Sequence, residues 1–275
     1  MTSTNTAAKD PAGHDWREAG AAWGHAAVDW ACLYEHYAVE VLAAMSAATG
    51  VGNGVDVVDV ACGAGYAMRF MRGCGANVSG LDAAEALVAI ARHRNPDADV
   101  RVGSMFALPW PDASFDVALS VNGIWGHCGD ALVEMRRVLR PGGKIGISFW
   151  GDGKSGAPLD MRPVFVALAA LTPPAGVDGM RNTNRIAKPG VAEEMLREAG
   201  FEVIERGSRV AVLEWPDEDI AWRSLASCGP MVPALEHSGP DVVRRDVLAA
   251  MAPLRNANGM YEYRNDHQFV IARAV

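Results

Sequence analysis

Short apolar runs rich in β-branched residues recur near 55–60, 77–82, 99–102, 115–121 and 143–150, and the segments between them carry apolar residues at helical spacing. Runs of this kind predict buried strands, and the intervening periodicity predicts helices near 64–73, 84–94 and 130–139. Strand and helix alternating at this interval predict a parallel sheet with crossover helices. Arg140-Pro141-Gly142-Gly143 stops the last of those helices. Further on, the pattern predicts a short helix at 159–171, a helix at 190–199 ending at Gly200, strands within 201–215, helices between 218 and 252 and a final strand near 260–274. Upstream, residues 16–48 read as helix, with Trp23, Trp30, Tyr34, Tyr37 and Val41 spaced to share one face. That stripe suits either a helix packed on the core or a lid over a site.

The chain divides accordingly. Residues 1–49 are expected to form a tail and a helical lid, with the first fifteen residues disordered. A glycine-rich linker at 50–54 leads into an α/β unit over 50–275, with insertions near 151–190 and 216–258. The 151–190 insertion is expected to lie over one edge of the sheet.

Composition narrows the function classes. The net charge of -8 and the scarcity of lysine argue against nucleic-acid binding, which needs a basic surplus to neutralise phosphates. No apolar stretch is long enough to span a membrane, and the N-terminus lacks the basic flank and apolar core of a secretory signal, so a cytoplasmic protein is expected. The five widely spaced cysteines suit reduced thiols better than disulfides or zinc, and no metal site is expected.

The chemistry concentrates where the first strand, Val55-Asp56-Val57-Val58-Asp59-Val60, breaks into Ala61-Cys62-Gly63-Ala64-Gly65-Tyr66. Seventeen residues after Gly65, the second strand ends on Asp82. A strand, a tight turn opening a helix and an acid closing the next strand form a site for a nucleoside-bearing cofactor. A dinucleotide site wants a third small residue where this chain has Met68, which disfavours a nicotinamide-dependent oxidoreductase without removing it. A phosphate loop needs Lys and then Ser or Thr after its glycines, and Tyr66-Ala67-Met68 supplies neither.

With these set aside, the segment resembles the first motif of class I S-adenosylmethionine-dependent methyltransferases, carried here by Asp59, Ala61, Gly63 and Gly65, with alanine in place of the first glycine. The resemblance runs over roughly 55–150. Leu81-Asp82-Ala83 is similar to the second motif, whose carboxylate holds the ribose hydroxyls, and Gly103-Ser104-Met105-Phe106 to the third, which lines the adenine. Ser114-Phe115-Asp116 followed by Val117-Ala118-Leu119-Ser120 resembles the fourth strand, and Arg136–Gly143 the turn before the fifth. Within the family, the chain is most similar to ubiquinone, menaquinone and natural-product methyltransferases.

The resemblance implies a Rossmann-like, doubly wound sheet of seven strands with an N-terminal helical arm and helical insertions. It implies S-adenosylmethionine as cofactor, S-adenosylhomocysteine as product, and binding through Asp59, Ala61, Gly63, Gly65, Asp82, Ala83, Ser104, Met105, Phe106 and Val121. Ser104 stands where the family usually has a carboxylate, so the adenine amino group meets a weaker acceptor.

Ligands of doubly wound sheets sit beyond the carboxyl ends of the strands, which brings Asn122, Trp125, His127 and Trp150 to the acceptor side. His127 is the candidate general base for methylation of an oxygen, or else a structural histidine in a loop. Trp125 and Trp150 either offer ring faces to a sulfonium or cap the sheet. Trp23, Trp30 and Tyr37 would complete the acceptor pocket from the lid, and Arg162, Arg181, Arg185, His237 or His267 is either an acceptor ligand or an ordinary surface residue. The expected partner is a small-molecule acceptor, with no nucleic acid, no membrane and a homodimer allowed. A protein of the same fold that binds S-adenosylmethionine without transferring methyl stands as a further alternative.

Overall fold

The computed structural model describes residues 15–152 and 160–275. The disorder expected of the first fifteen residues falls, except for Asp15, outside the described residues. The arm comprises α1 (Trp16–Gly24), the single turn α2 (Ala27–Asp29), a π-helical turn Trp30–Tyr34, a 3-10 turn Glu35–Ala38 and α3 (Val39–Thr49). Asp15 caps α1 by accepting from the Arg17 amide at 2.9 Å, and Gly50, in the left-handed region at φ 83°, ends α3.

Seven strands follow: β1 (Asp56–Val60), β2 (Asn77–Asp82), β3 (Asp99–Val102), β4 (Phe115–Val121), β5 (Leu139–Trp150), β6 (Phe201–Trp215) and β7 (Tyr261–Ala274). Their order is β3-β2-β1-β4-β5-β7-β6; β1 to β5 are parallel, and β7 runs antiparallel to both β5 and β6. The order reverses between β1 and β4, so the crevice for a ligand opens where those two strands end. The expected Rossmann-like, doubly wound seven-stranded fold is borne out.

Period-two alternation distributes the core. Val57, Val78, Val117 and Leu119 pack on one face with α3, α4 (Tyr66–Gly73) and α5 (Glu85–Arg94). Val58, Val60, Ala118, Ile145 and Ile147 pack on the other, beneath α6 (Gly129–Val138) and a later helix over Val191–Glu198. The chain between β5 and that helix forms α7 (Arg162–Leu171) and α8 (Pro174–Thr183), which makes the Val191–Glu198 helix α9. Between β6 and β7 lie α10 (Glu218–Ala226), α11 (Val232–Ser238) and α12 (Pro240–Met251). Met161, Val164 and Leu168, at and in α7, share a core with Leu225, Val243, Val247 and Met251, so the two expected insertions build one helical layer.

One expectation needs correction. Residues 16–48 are not a continuous helix, because the chain breaks at His25–Ala26 and then underwinds and overwinds before α3. The aromatic stripe has two targets that no straight helix face can meet. Trp23 lies against Gly229 and Trp30 against Gly63, while Tyr34 and Tyr37 turn onto the strand side toward Trp150 and His267. Tertiary packing overrides the period. No helix among the described residues is long and apolar enough to cross a membrane.

Candidate active site

The turn after β1 places Ala61, Gly63 and Gly65 in the left-handed region, at φ 62°, 53° and 78°. Glycine adopts that conformation without penalty, whereas Ala61 holds it at a cost of about 1 kcal/mol or more. Gly63 has a second requirement: a Cβ there would stand 2.7 Å from the Trp30 ring, which lies directly on the turn. At Gly65 a Cβ would meet Asn95 Nδ2 at 2.7 Å and Ala91, so this glycine lets α5 approach the turn and does not itself line a cavity. Met68 occupies the third small-residue position, fully buried, and Gly80 of β2 makes room for it: a Cβ on Gly80 would lie 2.5 Å from the Met68 sulfur.

Three acids converge on this turn. Asp82 Oδ2 accepts from the Gly63 amide and Oδ1 from the Ala84 amide, both at 2.8 Å, tying the glycine turn to the end of β2. Burial still raises its pKa against those donors. Asp59 is buried with neither carboxylate oxygen partnered among the described residues, and burial, then Asp82 and Glu35, push its pKa up to about 8. Glu35 is a buried acid that the sequence reading missed, although a carboxylate set between Tyr34 and Tyr37 of the aromatic stripe was a signal. It pairs with Arg94, yet burial outweighs that cation and raises its pKa to about 7. Arg94 also donates to Ala64 O at 3.2 Å and Ala31 O at 3.0 Å, clamping the arm to the glycine turn.

Two cavities meet here. The first, of about 170 Å³, is lined by Asp59, Ala61, Gly63, Asp82, Ala83, Ser104, Met105, Phe106 and Val121, so every expected cofactor residue except Gly65 faces it. Ser104 is buried, and its Oγ accepts from the Phe106 amide at 3.2 Å. The second cavity, of about 450 Å³, extends under α7 and α11, with Trp150, Phe149, Met161, Leu168 and Met231 in its wall. Trp23, Trp30, Tyr37, Asn122, Trp125 and His127 line both. Trp23 packs edge-on to Trp30 at 6.2 Å between ring centres and lies 6.4 Å from Trp125, which in turn lies 5.9 Å from His127. No lysine or arginine lines the second cavity among the described residues, so Arg162, Arg181, Arg185 and likewise His237 stand away from it.

His267 corrects the expectation of an acceptor ligand or surface residue. It is fully buried on β7 beside Trp150, and desolvation pulls its pKa down to about 3. Its Nε2 lies 3.1 Å from both Asn122 Oδ1 and Ser148 Oγ, and Asn122 Nδ2 donates to the Tyr37 hydroxyl at 2.9 Å. Asn122 itself is left-handed, at φ 55°. Strand pairing alone brings Trp150 opposite His267, which no local pattern announces.

Residues 57–143 match the family described as a methyltransferase domain. Over that segment, about a third of its length, the chain is similar to methyltransferase domains. That match covers the glycine turn, both carboxylates and the loop with Asn122, Trp125 and His127, and the resemblance to class I small-molecule methyltransferases read from the motifs stands. Among curated relatives, the chain is 40% identical over 98 residues, 34% of its length, to a probable S-adenosylmethionine-dependent methyltransferase of Mycolicibacterium smegmatis, of which it covers 38%. It is 38% identical over 102 residues, 35% of its length, to a malonyl-[acyl-carrier protein] O-methyltransferase of Serratia marcescens, of which it covers 40%. The chain thus spans about two fifths of the length of these curated relatives. Among solved structures, the [4+2]-cyclase SpnF superposes with a TM-score of 0.56 at 21% identity, over 88% of this chain and 84% of that one, which bears on the fold alone.

Proposed function

We propose that this protein transfers the methyl group of S-adenosylmethionine to an oxygen of a small, largely apolar acceptor. The observation that carries the reading is the junction of two cavities, one walled by the glycine turn and three buried acids, the other by apolar side chains. The first suits the cofactor: the unpartnered Asp59 carboxylate would take an ammonium, Asp82 would accept from ribose hydroxyls, and Ser104, Met105 and Phe106 would line an adenine. When bound, the cofactor supplies an electrophilic methyl group on a sulfonium.

The protein's own part is to exclude water, align the acceptor and take up a proton. The tryptophans at the junction exclude water, and residues 15–49 act as the lid. His127, which lines both cavities, is the proposed general base. The relative's malonyl acceptor carries a carboxylate, and the apolar second cavity offers no cation to such a group among the described residues, which favours a neutral acceptor.

Calorimetric titration with S-adenosylmethionine, S-adenosylhomocysteine and NAD tests the cofactor, followed by an acceptor screen read by S-adenosylhomocysteine release. Binding of both sulfur nucleosides without NAD, and release with a neutral hydroxylated acceptor, are expected. Binding of NAD alone would return the site to the dinucleotide class. Tight cofactor binding with no release for any acceptor would favour a fold used for chemistry other than methyl transfer.

A further inference from the structure

The geometry points to the Tyr37 hydroxyl as a hydrogen-bond donor that orients the acceptor oxygen, held in that role by a relay from buried His267 through Asn122. The inference rests on the methyl-transfer reading of the junction and adds the chemistry that recognises the acceptor: a neutral compound bearing a hydroxyl.

Hydrogen-bond polarity decides the matter. His267 places Nε2 between Asn122 Oδ1 and Ser148 Oγ, while its Nδ1 is buried without a partner among the described residues. An orphaned N–H is rarer and costlier in a protein interior than an orphaned lone pair, so the proton belongs on Nε2. With Nε2–H donating to Asn122 Oδ1, the amide presents Nδ2 to the Tyr37 oxygen at 2.9 Å. The Tyr37 oxygen thereby accepts, and its own proton is left to donate into the junction that Tyr37 lines from both sides.

The ring cannot turn away, because it packs against Trp150 at 4.7 Å and His267 at 5.5 Å between ring centres. Burial raises the phenol's pKa, which keeps the proton in place. A hydroxyl oxygen has two lone pairs: one accepts from Tyr37 and the other stays available for reaction, while His127 takes the proton. His267 touches neither cavity, so it is a positioning residue that acts through Asn122.

The test uses the full chain loaded with S-adenosylhomocysteine, and naphth-2-ol as probe. The Tyr37→Phe and His267→Leu variants should each weaken naphth-2-ol binding by about 5- to 10-fold, the worth of one hydrogen bond. Their combination should lose no more than either alone, while S-adenosylhomocysteine affinity stays within about twofold throughout. His267→Gln, which can offer a donor at the same place, should recover most of the loss, an outcome a merely structural histidine would not produce. Nitrogen-15 spectra of histidine-labelled protein, which need no ligand, should show neutral His267 protonated on Nε2 between pH 5 and 8. A proton on Nδ1, unchanged probe binding by Tyr37→Phe, or no probe binding by the loaded wild type would overturn the proposal. Failure of the wild type to bind S-adenosylhomocysteine would instead strike the methyl-transfer reading, and the spectra would still judge the relay.

Discussion

Gly20 of α1 rests on the backbone carbonyl of Ala83, the residue directly after the carboxylate that closes β2, and a Cβ at position 20 would overlap that oxygen. The arm therefore sits at backbone contact with the site. Gly20→Ala should lift α1 and cost about 1 to 3 kcal/mol, the usual range for overpacking, shared between stability and cofactor affinity. Thermal melts with calorimetric titration of S-adenosylhomocysteine would apportion it. Equal affinity in variant and wild type would show that α1 does not close the cofactor cavity.

Asp59 gives the ligand-free protein a pH dependence of definite sign. Its ordinary pKa is 3.8 and its folded value about 8, so the folded state binds more protons between those limits and stability falls as pH rises through them. Glu35, raised to about 7, acts in the same direction. Asp59→Asn should flatten the decline in melting temperature from pH 5 to pH 8. A slope unchanged by the substitution would assign the effect elsewhere.

Cofactor uptake should register the same group. A cationic ligand beside Asp59 favours its charged form, so binding of S-adenosylmethionine at pH 7 should release a proton. The apparent binding enthalpy would then vary with the ionisation heat of the buffer, and the variation should shrink in Asp59→Asn. Buffer-independent heats in the wild type would contradict the placement of the ammonium at Asp59.

Asp82 and His127 should separate binding from turnover. Asp82→Ala removes an acceptor of charge-assisted hydrogen bonds and should weaken S-adenosylhomocysteine binding by about 1.5 to 3 kcal/mol. It should also lower the melting temperature, because the amides of Gly63 and Ala84 lose their partner. His127→Ala should leave cofactor affinity intact and lower turnover by about 10² to 10⁴, the range for a general base. Equal loss of cofactor affinity in both variants would sink this division of roles.

Met68 and Gly80 form a packing pair open to a double-mutant cycle. Gly80→Ala should cost about 1 to 2 kcal/mol through overpacking, and Met68→Ala about 2 to 5 kcal/mol through the space it leaves. Each change relieves the other, so the double variant should lose less than the sum, measured by denaturant unfolding. Strict additivity would mean that the two side chains do not compete for one space.

The sequence by itself determined the elements of the sheet and most of the residues expected in the first cavity. Those features are local: strand runs, a left-handed turn that selects small residues at 61, 63 and 65, and an acid at the end of each of two strands. The residues around Asp59, Asp82 and Ser104 lie within a few positions of a strand end, so their spacing alone sets where they face. Only the tertiary structure decided the rest. Glu35 shares the first cavity with Asp59 because the arm bends away from the helix its periodicity implied, and Arg94 holds that bend. His267 meets Asn122 because β7 inserts antiparallel beside β5, joining residues 145 positions apart. The second cavity is walled by helices from two separate insertions whose apolar faces find each other only when the sheet brings them together, and hydrophobic burial carries no address in the local pattern of the chain.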